Sequence, residues 1–343
     1  MDWETYKKHK PFAGEKKASM LRRRVGHDYE SRRIYLITMT VEGRRPLLGK
    51  LVGDAEAMDG SPEAPRIELS PLGKKVEECW KAINRYYPEV RVLAITIMPD
   101  HLHGILFVER RMDEHLGMVI KGFKTGCNKV YRSWLLSQVY QPCTSMPQQC
   151  CRKDDDRTHG FLFSRNYNDH ILDSPGELKR WFAYLKDNPR RLAIKRQHPE
   201  FFTIVRNVNI GEWSCQMVGN QELLSYPEKS AVVVHSAYSD EEFKERKQKW
   251  LALAKRGGVL VSASISKREK EVMREAMNCG YRLIVLRENG FPPLYKPAGE
   301  SFSACSKGVL LQICPWEYHM NRRIISREQC LQLNRLAEYI ASR

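Results

Sequence analysis

The sequence lacks any uninterrupted apolar run of the roughly 20 residues that a membrane-spanning helix needs. It also lacks the apolar core of a secretory signal, because Met1–Arg33 is rich in charged residues. No two of its 10 cysteines have the CxxC spacing of a zinc knuckle, and without secretion a disulfide framework is not expected. These absences predict a cytoplasmic protein with no membrane partner and with reduced thiols.

One alternative use of the cysteines stays open. Cys143, Cys150, Cys151 and His159 lie close together in the sequence and could gather a metal ion. Their spacing matches no common zinc pattern, so structural thiols are the simpler interpretation.

Acidic residues are too few to balance the basic ones. The chain has 41 Asp and Glu against 57 Lys and Arg, a net charge of +16. Such a surface attracts polyanions, and phosphate contacts supply most non-specific affinity for nucleic acids. The basic residues cluster at 7–10, 22–24 and 190–196, which favours a nucleic-acid path. The alternative is a basic enzyme unrelated to nucleic acid.

The first part of the chain predicts a basic N-terminal arm over residues 1–30 and a domain over 31–205. Strands are predicted at Arg33–Val41, Val90–Met98 and Leu102–Val108, and helices at Pro71–Tyr87, Leu116–Leu136 and Ser174–Lys195. Residues 42–70 are predicted to form mostly loop or a short hairpin. Residues 161–163 could form a further strand of the same sheet. The order β-α-β-β-α-(β)-α fits an α+β fold of the ferredoxin-like kind.

Residues 206–343 have a different sequence pattern, in which predicted short apolar strands alternate with predicted amphipathic helices. Strands are predicted at Ala231–His235, Val259–Ser262, Arg282–Leu286 and Val309–Cys314, and helices at Asp240–Lys255, Lys267–Cys279 and Arg327–Ala341. This alternation predicts an α/β, Rossmann-like second domain whose parallel sheet is covered on both faces.

Two histidines stand two residues apart at the start of a predicted strand, in the segment ITIMPDHLHGILFV. Residues i and i+2 of a strand share a face, so His101 and His103 would present two imidazoles side by side. Neutral imidazole is a common metal ligand, and the pair predicts two ligands of an open site. A structural role for both rings is the alternative. Asp100 is either a carboxylate that orients a ligand or a turn residue after Pro99.

A second constellation lies on the predicted helix with the sequence LKRWFAYLKDNPR. Tyr184 and Asn188 are four apart and share a helix face. A tyrosine hydroxyl can attack phosphorus, and an amide oxygen can serve as a third ligand to a hard cation. Mixed nitrogen and oxygen ligands suit Mg²⁺ or Mn²⁺. Pro189 should kink or end the helix just after Asn188, and Tyr184 could instead be a packing residue.

These segments together resemble a known family. MPDHLHGI, the later YxxxNP helix and the intervening NYNDHIL resemble the single-tyrosine HUH transposases, above all the REP-associated tyrosine transposases related to the IS200/IS605 group. The resemblance covers roughly residues 20–200. It implies an HUH nuclease domain and a transposase that cuts single-stranded or hairpin DNA through a 5′-phosphotyrosine intermediate, freeing a 3′-hydroxyl.

The resemblance also implies residue roles. Tyr184 would be the nucleophile, and His101, His103 and Asn188 would bind Mg²⁺ or Mn²⁺. Tyr167 is a rival nucleophile without an amide partner, and His170 would orient a group, touch DNA or make a structural bond. A domesticated protein that binds structured DNA or RNA without cutting it is the alternative function, and the oligomeric state could be monomer or homodimer.

DNA binding is assigned to basic residues of the arm and of the long helix. These residues are Arg22, Arg23, Arg24, Lys121, Lys124, Lys129 and Arg132. Solvated charges on a helix face are the simpler alternative.

The strand–turn–helix over 257–273 offers a possible phosphate site in the second domain through Ser262, Ser264 and Ser266. It loosely resembles the Rossmann-like domains of the DNA-processing DprA and SLOG group. The glycine-rich turn is replaced by Ala263-Ser264-Ile265, which opposes close phosphate approach. A scaffold for DNA docking or dimerisation, with Arg322-Arg323 contributing, is the alternative.

Overall fold

The structure is a computed structural model that divides into two compact units, residues 1–193 and 194–343. It describes residue 24 and residues 26–58, 60–139, 160–235, 237–293, 295–320 and 325–343. None of the helices in these ranges combines the length and apolar character that crossing a membrane requires.

The first unit is built from strands and helices in mixed order. Its elements are β1 (Arg33–Thr40), β2 (Gly49–Val52), β3 (Arg66–Leu69), α1 (Pro71–Lys81), α2 (Ile83–Tyr86), β4 (Val90–Met98), β5 (His101–Val108), α3 (Leu116–Val139), β6 (Asn168–Ile171) and α4 (Glu177–Gln197), which continues past residue 193. Four strands form an antiparallel sheet in the order β4-β5-β1-β6, while β2 and β3 pair as a separate hairpin.

Alternation along β1 distributes its side chains between two helical layers. Tyr35, Ile37 and Met39 pack in a core that includes residues of α1 and α3. Leu36 instead packs with Ile105 of β5 and Leu185 of α4. Since successive residues of a strand face opposite sides, α4 covers the face opposite to α1 and α3.

Several predicted elements have different bounds in the structure. The predicted helix over 71–87 is two helices, because the chain turns at Ala82, which caps α1. The edge strand is β6 at Asn168–Ile171, whereas Phe163 makes a single bridge to Val41. The fourth strand of the sheet therefore begins at Asn168, five residues after the end of the predicted strand at 161–163.

The second unit contains one six-stranded sheet with helices on both faces. Its elements are β7 (Val205–Ile210), β8 (Trp213–Gly219), β9 (Lys229–Ala231), α5 (Asp240–Lys255), β10 (Val259–Ser262), α6 (Lys267–Asn278), β11 (Arg282–Leu286), α7 (Gly299–Ser306), β12 (Leu310–Cys314) and α8 (Arg327–Ala341). Short 3₁₀ helices lie at Pro199–Phe202 and Gln221–Ser225 in the second unit. Another lies at Glu42–Arg44 in the first unit.

The parallel pairing predicted for this unit is confirmed for four of the six strands. β9, β10, β11 and β12 are parallel neighbours, but β8 pairs antiparallel with β12 and β7 pairs antiparallel with β8. The expectation of two covered faces is confirmed, since α5, α6 and α7 contribute to one apolar core and α8 to another. The β7–β8 hairpin and α7 were absent from the prediction, and β9 ends at Ala231 rather than His235.

Gly104 of β5 provides a close approach between a strand and a helix in the core of the first unit. A Cβ at this position would lie 2.0 Å from the Cζ2 atom of Trp80, which is fully buried. Trp80 also packs edge-on against Phe123, with ring centroids 5.1 Å apart. The missing side chain thus lets the indole of α1 lie directly on β5.

We expect Gly104→Ala to lower the free energy of unfolding by about 1–3 kcal/mol or more, because the added methyl overpacks this contact. Gly126→Ala in α3 is the matched control, since its Cβ would meet Cys79 Sγ at an ordinary 3.7 Å. Chemical denaturation of both variants measures the difference. Equal stability of the two proteins would contradict the proposed contact.

Candidate active site

The candidate site lies at the start of β5, on the sheet face that α4 covers. His101 and His103 share this face, and their ring centroids are 5.0 Å apart. Their neighbours across the ladder carry hydroxyl groups: Thr38 and Thr96 oppose His103, and Thr40 opposes His101. An otherwise apolar sheet therefore has a polar patch at this end.

Each histidine is held through its Nδ1 atom. His101 Nδ1 donates to Asp100 Oδ1 at 2.6 Å, and His103 Nδ1 is hydrogen-bonded to the hydroxyl of Thr38 at 2.8 Å. These bonds orient the rings and leave Nε2 of each for a ligand, as in many metal-binding imidazoles. Burial, with a smaller contribution from His101, lowers the pKa of His103 to about 3. The ring is therefore neutral near pH 7, the form that binds a metal.

Asp100 links the histidine pair to the guanidinium group of Arg44. Its other carboxylate oxygen lies 3.3 Å from Arg44 Nη1. The hydrogen bond from His101, and then the Arg44 guanidinium, lower the pKa of Asp100. The carboxylate thus stays ionised while it holds the imidazole of His101, which is the orienting position considered from the sequence.

Helix α4 runs through Pro189 to Gln197, close to the predicted range Ser174–Lys195, so of the two expected effects of Pro189, a kink or an end, the helix end does not occur. Proline has no amide hydrogen, so Pro189 cannot bond to the carbonyl of Leu185 four residues earlier. That carbonyl instead accepts a hydrogen bond from the Thr96 hydroxyl of β4 at 3.1 Å. A strand side chain therefore replaces the missing helix bond and fixes α4 to the sheet opposite His103.

This anchor places Tyr184 beside the histidines. The ring centroids of Tyr184 and His103 are 5.9 Å apart. Trp181 packs edge-on against the same phenol ring at 5.2 Å, and the guanidinium carbon of Arg191 lies 5.4 Å from its centroid. Arg191, which the sequence reasoning missed, adds a positive charge next to the phenol.

Asn188 follows Tyr184 by one helical turn and is only 6% exposed. Its Nδ2 atom has no hydrogen-bond partner within the described ranges. A half-turn about the last side-chain bond exchanges Nδ2 and Oδ1, so this buried amide can offer an oxygen to a cation. No three His, Cys, Asp or Glu side chains form a metal-binding group in the described part of the chain. Among the described residues, Asn188 is a side chain of another type that could supply a third ligand beside the histidines.

The other candidates from the sequence occupy different positions. Tyr167 packs against the core on the α1 and α3 side, with Lys124 Nζ 5.8 Å from its ring centroid. His170 Nε2 lies 2.6 Å from Glu177 Oε1 at the start of α4, and its ring contacts Trp181. The alternative cluster of Cys143, Cys150, Cys151 and His159 lies outside the described residues.

A polar cavity of about 360 Å³ includes in its wall Thr38 and Thr40, the β1 neighbours of His103 and His101. Its walls include Thr38, Thr40, Arg44, Ser164, Asn166, Tyr167 and Asn168. Lys124 supports one wall, because its ammonium donates to the carbonyl oxygens of Ser164 and Asn166 at 2.7 and 3.2 Å. Hydroxyl, amide and guanidinium groups can hydrogen-bond a sugar or a base in this cavity.

The predicted DNA-binding residues are divided between structural and exposed positions. Lys124 is engaged with backbone carbonyls, and Arg24 pairs with Asp173 at 3.1 Å. Lys121, Lys129 and Arg132 are exposed on α3, on the sheet face opposite to α4. Arg22 and Arg23, like Arg322-Arg323, lie outside the described residues.

In the second unit, an internal carboxylate occupies the predicted phosphate position. Glu269 is buried, and its carboxylate accepts from the amides of Ile265 and Ser266 and from that of Val234. Ser266 caps α6, and the hydroxyl of Ser262 donates to the Val232 carbonyl and accepts from Ser264 N. The amides that a phosphate would need are therefore already bonded.

Comparison with known proteins reveals only distant similarity. No protein-family profile matches the chain. An uncharacterized protein of Haemophilus influenzae is 23% identical over 163 residues, which cover 48% of this chain and 83% of that protein.

Three solved structures are also similar to parts of the chain. A REP-associated tyrosine transposase bound to a REP hairpin has 12% identity and a TM-score of 0.30, covering 48% of this chain and 70% of its own. A candidate transposase of Deinococcus radiodurans has 13% identity and a TM-score of 0.27, covering 47% and 95%. DNA processing protein A of Helicobacter pylori, studied for its single-stranded DNA binding, has 17% identity and a TM-score of 0.30, covering 41% and 66%. Similarity at this level fixes no function, so function is inferred from the site itself.

We expect Thr96→Val to lower the free energy of unfolding by about 1–3 kcal/mol, because the Leu185 carbonyl then has no partner. Valine keeps the shape of threonine, so packing is preserved. Thr125→Val is the control: this exposed threonine bonds to its own helix at Lys121, and the change should stay within about 0.5 kcal/mol. Equal effects in denaturant titrations would show that the Thr96 bond does not anchor α4.

We expect Asp100→Asn to weaken Mn²⁺ affinity by about 10- to 100-fold, because His101 loses the carboxylate that orients it. Isothermal titration of the metal-free protein measures the affinity. Asp113→Asn, at an exposed position beyond β5, should bind like the wild type. Wild-type affinity in Asp100→Asn would contradict the role of the Asp100 carboxylate in orienting His101 for a metal.

Proposed function

We propose that the first unit is a metal-dependent single-strand DNA endonuclease and strand transferase, a transposase of the single-tyrosine HUH kind. The contact between Tyr184 and His103 carries the proposal, because it joins a phenol nucleophile to a histidine pair. The strand order β4-β5-β1-β6, with β1-α1-β4-β5-α3-β6 along the chain, supports a ferredoxin-like class for this unit. For the second unit we propose a Rossmann-like class with an antiparallel extension.

In this proposal, His101 and His103, through their Nε2 atoms, and Asn188, through Oδ1, would hold Mg²⁺ or Mn²⁺. The fit rests on the neutral His103 ring, the two engaged Nδ1 atoms and the buried amide of Asn188. The ion, when bound, would neutralise charge on the scissile phosphate. Donors of this mixed type suit either cation.

The Tyr184 oxygen attacks phosphorus and forms a phosphotyrosine bond as the 3′-oxygen of the DNA leaves. Arg191 beside the phenol ring stabilises the negative charge that develops there. The phosphotyrosine conserves the energy of the broken bond, so the freed 3′-hydroxyl can later attack it and rejoin strands. No external energy source is needed.

Single-stranded or hairpin DNA is the proposed substrate. The polar cavity beside Thr38 and Thr40 suits a nucleotide next to the cut, since its groups are hydrogen-bonding and these two threonines oppose His103 and His101 in the sheet. The exposed cations of α3 are on the other sheet face, so we assign them to the paired part of a hairpin. A domesticated binding protein that holds DNA or RNA without cutting is the alternative.

We expect a labelled DNA hairpin with single-stranded flanks to form a denaturation-resistant adduct with the protein in Mg²⁺. Tyr184→Phe should form no detectable adduct, because it lacks the attacking oxygen. Tyr167→Phe is the control and should retain adduct formation. The products are separated on a denaturing gel and the linked peptide is identified by mass spectrometry.

Two outcomes would contradict the proposal in different ways. An adduct that survives in Tyr184→Phe and disappears in Tyr167→Phe would move the nucleophile to the other tyrosine. Tight hairpin binding with no cutting in Mg²⁺ or Mn²⁺ would favour the binding-only alternative.

A further inference from the structure

A cleft of about 460 Å³ lies between α1, α2 and α3, on the side of the sheet away from α4. Cys79 of α1 forms part of its wall, together with Tyr86, Tyr87 and Lys121. The sulfur of Cys79 lies 3.7 Å from the place that a Cβ of Gly126 would take. The thiol therefore rests against a bare stretch of α3 and borders an open cleft.

The residue after Gly126 is a second cysteine. Cys127 is fully buried among apolar side chains of the first core, and Cys79 packs against the same core. Both cysteines are free, and Cys127 directly follows Gly126, the residue of α3 that the Cys79 sulfur contacts. One thiol borders the cleft, and its partner lies behind it.

The two sulfurs differ in acidity. The hydrogen bond from Cys127 lowers the pKa of Cys79 from 9.0 to about 7, whereas burial raises the pKa of Cys127. A large fraction of Cys79 is then thiolate at neutral pH, and thiolate is the form that reacts with oxidants. Cys127 keeps its proton.

We propose that Cys79 is a site of oxidation by hydroperoxides and that Cys127 resolves it to a disulfide joining α1 to α3. The Cys79 thiolate attacks one peroxide oxygen, the O–O bond breaks, and hydroxide leaves and is protonated to water. Cys127 sulfur then attacks the resulting sulfenic acid, the S–O bond breaks, and the thiol proton leaves with hydroxide as a second water. With hydrogen peroxide, two thiols and one peroxide thus give one disulfide and two waters.

This site is independent of the proposed DNA chemistry, because it uses none of the residues around Tyr184 and lies on the other sheet face. Its consequence is a covalent link between two helices that otherwise only pack together. A reversible link of this kind should raise the melting temperature of the oxidised protein, since it constrains the unfolded chain.

The test treats the full-length protein with hydrogen peroxide, blocks remaining thiols with iodoacetamide and digests it with trypsin. The expected product links peptide 76–81 (VEECWK) to peptide 125–129 (TGCNK), with the mass of two hydrogens lost and with reversal by dithiothreitol. Cys279→Ser, which removes an exposed cysteine, should leave this product unchanged.

Two further variants separate the steps. Cys127→Ser should stop at a Cys79 sulfenic acid that dimedone traps, and Cys79→Ser should form no link at Cys127. Iodoacetamide alkylation of Cys79 should also rise with pH around a midpoint near 7. Oxidation of Cys279 ahead of Cys79, or Cys79 linked to another cysteine or another chain, would overturn the proposal.

Discussion

The hydrogen bond from the Thr96 hydroxyl to the Leu185 carbonyl is the contact on which the candidate site depends. Pro189 leaves that carbonyl without its helical partner, and β4 supplies a replacement from the position opposite His103. The helix therefore continues past the proline, and its register on the sheet is fixed at the same point. Tyr184 and Asn188, on either side of Leu185, are brought to the histidines as a consequence.

The polar groups around β5 and those at the start of α6 differ in how completely the protein itself hydrogen-bonds them. Around β5, the Nδ1 atoms of both histidines are engaged by Asp100 and Thr38, while their Nε2 atoms and the amide of Asn188 have capacity for a ligand. At the start of α6, Glu269 already bonds the amides that an anion would need. The polar groups around β5 could therefore bind a ligand, whereas the amides at the start of α6 are already hydrogen-bonded by Glu269.

Local periodicity accounts for much of what the sequence predicted. A period of two placed His101 and His103 on one face, and a period of 3.6 placed Tyr184 and Asn188 on one helix face. Strand pairing is not contained in such patterns, so the roles of Thr38 and Thr96 could not be foreseen. The helix continues past Pro189, rather than ending there, because a tertiary bond compensates a local defect. The antiparallel strands β7 and β8 were missed because the weak alternation in VRNVNI resembles a loop.

The metal site is tested most directly by a crystal structure of the protein soaked in Mn²⁺, with anomalous scattering used to locate the ion. We expect a manganese peak within bonding distance of His101 Nε2, His103 Nε2 and Asn188 Oδ1, with the Tyr184 hydroxyl facing it. A peak bound by the histidines with Asn188 turned away would contradict the role of α4 as the source of the third ligand. A peak elsewhere, with the histidine pair empty at saturating Mn²⁺, would contradict the metal site itself.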